Sequence, residues 1–172
     1  MNKNTNIFRS LILAAAMLLA GSATAFAATT GTVTLSGTVP PVLAITVTAQ
    51  SGYNTLSLAS DATDALVAVV NELTNRKVGY TVSLASTNAA GQSGNPFFKS
   101  ADPANADVLS YSITYDGAPV NLANGSAVVT NASGRTGSAG VNRDVRISFT
   151  GSSQFLNEDS YADTLTFTIA GK

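Results

Sequence analysis

Two groups of acidic residues and one aromatic pair are the side chains in this sequence whose types and spacing could do chemistry. Asp102, Asn105 and Asp107 crowd one stretch, and an oxygen-rich loop of that kind can hold Ca²⁺. Their spacing does not match an EF-hand, however, and Asp and Asn are ordinary turn formers. Glu158, Asp159 and Asp163 precede the last apolar run, where a carboxylate pair could serve glycoside hydrolysis. That chemistry needs a cleft with aromatic platforms, and the chain has no Trp. Phe97 and Phe98 offer either an exposed loop contact for a sugar or partner, or a flap folded back over one end of a core. The chain also has no His and no Cys. This removes His bases and Cys nucleophiles, and with them most zinc, haem and iron–sulfur chemistry. No Gly-x-Ser-x-Gly elbow occurs either. The residues therefore predict no enzyme, no catalytic or metal site, and no cofactor.

The elements that would position these side chains read as strands. Hydrophobic residues make up 45% of the 172 positions and charged ones only 11%, under half the usual share, which excludes a disordered charged tail. Nine basic and ten acidic side chains, with no basic run beyond Arg76-Lys77, argue against a nucleic-acid partner. Residues 1–27 read as a cleaved signal peptide: Lys3 and Arg9, the apolar stretch Leu11 to Ala20, then Ala25-Phe26-Ala27 as a small-x-small cleavage site. An apolar stretch of that length is too short to span a bilayer, so export with no membrane span after cleavage is expected. Residues 28–172 then form a single domain.

Period-two alternation marks the strands of that domain. It runs through Leu43, Ile45 and Val47; Tyr80, Val82 and Leu84; Leu109, Tyr111, Ile113 and Tyr115; Val141, Val145, Ile147 and Phe149; and Leu165, Phe167 and Ile169. Arg143 interrupts its face. Asp116-Gly117 sits between alternating runs and predicts a hairpin, because both turn positions need positive φ. Weaker strands are expected at Thr55–Leu58 and Ser126–Thr130. Asp64 to Leu73 fits either a helix with Leu66, Val69, Val70 and Leu73 on one face or a strand. Three valines, Asn71 and the strand-rich surroundings favour the strand. Thr87 to Asp107 and Ser133 to Gly140 read as long surface loops. Seven to nine short strands with small polar turns predict an all-β antiparallel sandwich.

The N-terminal arm, residues 28–39, carries the sharpest signal. In Gly31 to Val39 (GTVTLSGTV), Val33, Leu35, Gly37 and Val39 share one face of an extended strand. Those nine residues would reach roughly 30 Å. Pro40 and Pro41 then stiffen the exit and cannot donate ladder hydrogen bonds. This pattern resembles the mature N-termini of chaperone–usher pilus (fimbrial) subunits, which commonly read G-T-[VI]-x-[FL]-x-G-x-V. Tyr161 to Ile169 is similar to the final strand of such pilins and of spore-coat-protein-U-like secreted domains. The sequence departs from many pilins in lacking a Cys pair and in ending Ala170-Gly171-Lys172 rather than on a penultimate aromatic.

The resemblance implies an immunoglobulin-like sandwich that lacks its last strand and takes the arm of the next subunit, the β-strand-addition mode. It implies identical or homologous subunits, a periplasmic chaperone and an outer-membrane usher as partners. It also implies passage through the periplasm to a fimbrium at the cell surface. Val33, Leu35, Gly37 and Val39 would be the subunit-interaction residues. The alternative is a self-contained secreted sandwich whose arm pairs within its own chain and whose long loops bind carbohydrate or protein.

Overall fold

The computed structural model describes residues 28–92 and 94–172; the expected signal peptide lies outside them. The chain divides into two compact units between Thr38 and Val39, one residue short of the arm's expected end. In the first unit, residues 28–38 belong to no strand, and Val33 and Leu35 are 85% and 90% exposed. The extension is thus an unpaired ribbon.

The second unit is all-β, with eleven strands among the described residues, two more than the upper end of the expected range. They are β1 (Leu43–Ala49), β2 (Asp61–Thr74), β3 (Tyr80–Ser86), β4 (Phe97–Ser100), β5 (Val108–Ser110), β6 (Ser112–Tyr115), β7 (Ala118–Val120), β8 (Ser126–Ala132), β9 (Val141–Thr150), β10 (Tyr161–Ala162) and β11 (Leu165–Gly171). Every pairing is antiparallel. One sheet runs β1-β2-β9-β6-β7, a second runs β11-β3-β8, and the short β10-β4-β5 closes one end. The surplus over the expected count comes from the short strands of this third sheet, which lie partly in the stretch read as loop.

Inward faces follow the alternation. Ala68, Val70 and Glu72 of β2, Val82 and Leu84 of β3, Ile113 and Tyr115 of β6, and Val145, Ile147 and Phe149 of β9 are all buried. Tyr115 meets Phe167 across the sheets with ring centroids 6.1 Å apart. Residues 64–73 are strand, not helix, because the segment lies between two partners that satisfy its backbone on both edges. Two bulges bend β2, and Asp64 sits at the first with φ 53°. Asp116 and Gly117 turn β6 into β7 with φ values of 51° and 78°, the left-handed pair a tight hairpin requires.

One expectation fails here, and one pair of alternatives is decided. Thr55–Leu58 is a turn region rather than a strand. Leu56 and Leu58 instead leave the ladder and pack their side chains against the core. Phe97 and Phe98 are not an exposed contact: they lie in β4, 6% and 9% exposed. Phe98 stacks on Tyr111 at 4.6 Å and meets Phe149 edge-on at 5.7 Å, so the pair caps the core.

Candidate strand-acceptor groove

The two larger sheets run β1-β2-β9-β6-β7 and β11-β3-β8, so β1 and β11 both stand at sheet edges. β11 pairs with β3 on one edge and β1 pairs with β2 on one edge, and each leaves its other edge free.

The inward faces of these two edge strands border a groove of about 320 Å³, lined by Val47, Ala49, Val67, Ala68, Leu165 and Phe167 among others. The alternation that marked β1 and β11 as strands is what makes the groove apolar. Leu43, Ile45 and Val47 point the same way on β1, as do Leu165, Phe167 and Ile169 on β11. Yet Leu43 and Val47 are exposed, and the three β11 side chains are only half-buried. Neither edge carries a charge in LAITVTA or LTFTIAG, although exposed edges are commonly blunted by Lys, Pro or a bulge. The opposite margin of the first sheet is different: β7 carries Pro119, which cannot donate to a further strand.

Polar groups hold β11 at both of its ends. At one end Thr87 N–H donates to the Thr164 carbonyl at 3.0 Å. Asp163 there accepts from the Ser86 and Tyr111 hydroxyls, each at 2.6 Å, and from the backbone N–H of Asn88 at 3.2 Å and Thr164 at 2.8 Å. Burial, and then the bond to Asp163, pushes the Tyr111 phenol far above its usual range. At the other end Lys172 N–H donates to the Gly79 carbonyl at 3.2 Å, and Arg76 Nη1 to the Lys172 carbonyl at 3.2 Å.

The remaining predicted residues fall elsewhere. The carboxylates of Asp102 and Asp107 and the amide of Asn105 are spent locally, Asp102 on Ala104 N–H and Asp107 on Asn157 N–H. Asp159 accepts from the Ser100 hydroxyl in a very short bond, which holds its carboxyl below the usual range. No cluster of three or more His, Cys, Asp or Glu suited to a metal occurs among the described residues. Val33, Leu35, Gly37 and Val39 lie outside every strand, with the three large side chains exposed.

Sequence reading missed Glu72, a fully buried carboxylate on the inward face of β2. It accepts from Tyr80 at 2.7 Å, Tyr115 at 2.6 Å and Thr130 at 2.6 Å, with Arg143 Nε 3.6 Å away. Its only sequence signal was a charge at an inward position of an apolar strand.

No protein-family model matches the chain, and a search of curated proteins finds no match to it.

Proposed function

We propose that this protein is a structural subunit of a bacterial surface fibre or coat, in which the groove between β1 and β11 receives residues 31–39 of a second copy. One observation carries the reading: two uncharged edge strands leave inward apolar side chains partly uncovered, Leu43 and Val47 on β1 and Leu165, Phe167 and Ile169 on β11. The arm has the matching chemistry. Its apolar side chains alternate with Thr and Ser, so one face fits an apolar groove while the other faces water. Nine residues reach roughly 30 Å, and the seven of β11 about 23 Å, so the ribbon covers the whole edge. Each of Val33, Leu35 and Val39 would contribute about 1.5–3 kcal/mol on burial, and each ladder bond about 1 kcal/mol. The resemblance to chaperone–usher subunits adds a periplasmic chaperone and an outer-membrane usher as the partners that hold and pass on the open subunit. The loop-binding alternative loses its residue basis, since Phe97 and Phe98 are core.

The test is an unheated denaturing gel of the purified mature chain. A ladder of bands that collapses to monomer on boiling is the expected result. Val33→Asp with Leu35→Asp should remove the ladder, because a charge buried in an apolar groove costs several kcal/mol. The monomer's melting temperature should stay unchanged, because both side chains are exposed before assembly. A ladder that survives the double substitution overturns the reading.

A further inference from the structure

Two ribbons could fill the groove, the chain's own and that of a second copy. Residues 31–39 directly precede β1. The shortest route into the parent groove is a hairpin reversal over Val39 to Val42 that lays the ribbon along the free edge of β1. Nothing in the alternation of the ribbon forbids this, because the same apolar face would serve.

The root of the ribbon is fastened against that reversal. The β1–β2 ladder ends at Leu43 opposite Thr74, and Asn75 carries it one pair further. Its backbone N–H donates to the Val42 carbonyl at 3.2 Å, and Thr74 Oγ1 donates to the same carbonyl at 2.9 Å. The Asn75 side-chain amide then does what a strand backbone does. Its Oδ1 accepts from Val42 N–H at 2.7 Å, and its Nδ2 donates to the Pro40 carbonyl at 2.8 Å. Pro41 lies between the two bonded residues and offers no N–H of its own. Residues 40–42 are thus held as a continuation of β1. A hairpin reversal would have to give up both side-chain bonds.

We propose that Asn75 makes the groove selective for a second copy of this chain, by denying the parent's own ribbon the turn it needs to enter. This rests on the reading of the groove as a strand acceptor and adds what decides between its two available occupants.

The experiment compares wild type, Asn75→Ala and Asn75→Asp in the mature full-length chain, with hydrogen exchange read on residues 33–39 in the monomer fraction and the unheated gel run beside it. Wild-type monomer should exchange quickly there. Asn75→Ala monomer should be protected at least tenfold, with a weakened ladder, as the freed ribbon folds home. Asn75→Asp keeps the acceptor for Val42 and loses the donor to Pro40, so its protection should fall between. Protection in Asn75→Ala equal to wild type overturns the proposal. If that variant does not fold, Asn75→Asp decides alone by the same criterion. A wild type without a ladder sinks the fibre reading only, since ribbon protection is still measured in monomer.

Discussion

The sandwich treats two of its inter-sheet regions in opposite ways. Around Glu72 the sheets are tied by a buried polar hub: a carboxylate from β2 accepts from hydroxyls of β3, β6 and β8, and Arg143 of β9 reaches both Glu72 and Asp116. Between β1 and β11 the groove is mostly apolar and half open to water, with a smaller polar cluster around Asp163 and Tyr111 at one end. A buried charge tolerates no vacancy, because each unmet partner costs free energy. An apolar groove tolerates one, at the loss of burial alone. The difference teaches that a sheet edge lined by apolar side chains can stand open while polar cross-links hold the sheets together elsewhere.

The largest effect should come from breaking the hub. Glu72→Ala strands two phenols, one hydroxyl and part of the Arg143 charge in the core, at a cost of about 3–5 kcal/mol. Thermal melts should show a drop on the order of 10 °C. A drop of a degree or two would mean that water or Arg143 takes over the bonds, and the contrast between the margins would weaken.

A second, graded break uses pH. Burial first, and then hydrogen bonding to Glu72, pushes the Tyr80 phenol up to about 12 and the Tyr115 phenol further. A phenol whose folded pKa lies above its unfolded value near 10 gives stability that is fully present below pH 10. That stability is lost as pH rises through the folded value. Melting temperature should therefore hold to about pH 10 and then fall steeply toward 12, with Tyr80→Phe flattening the fall. Tyr111, which lines the groove, is raised in the same direction by burial and Asp163, so the alkaline loss reports on both polar clusters. Asp61 and Asp159 act in the other direction: hydrogen bonds lower both carboxyls, so what they add is lost only below about pH 3.8.

Much of this architecture was legible in the chain, and the exceptions have physical causes. The alternation through Leu43–Val47, Tyr80–Leu84, Val145–Phe149 and Leu165–Ile169 marks strands, and Asp116-Gly117 marks its hairpin, because both depend on neighbours in sequence. Phe97 and Phe98 left two readings open because adjacent apolar residues break period two, and end-capping of a core leaves no periodic trace. The hub was invisible because Tyr80, Tyr115, Thr130 and Arg143 reach Glu72 from four other strands. The groove itself could not be read directly: Leu165, Phe167 and Ile169 alternate in the same way whether or not a strand covers them.

The smallest effect is also the sharpest comparison, because it sets two neighbours against each other. Val47 and Val70 are direct cross-strand partners, so their side chains share one face of the first sheet. One strand further inward, exposure falls from 47% to 0%. Val70→Ala empties space in a closed core and should cost the monomer about 2 kcal/mol. Val47→Ala removes methyl groups already half in water and should cost it less than about 1 kcal/mol. In the assembled ladder the gap should close, because a ribbon laid over β1 would bury Val47 as fully as Val70. Denaturant midpoints for monomer and for unboiled polymer would measure this. Equal, small effects of Val47→Ala in both states would mean that nothing comes to rest on the β1 edge. A penalty that grows on assembly by 1 kcal/mol or so, roughly the hydrophobic value of a buried methylene, would locate the incoming strand beside that one side chain.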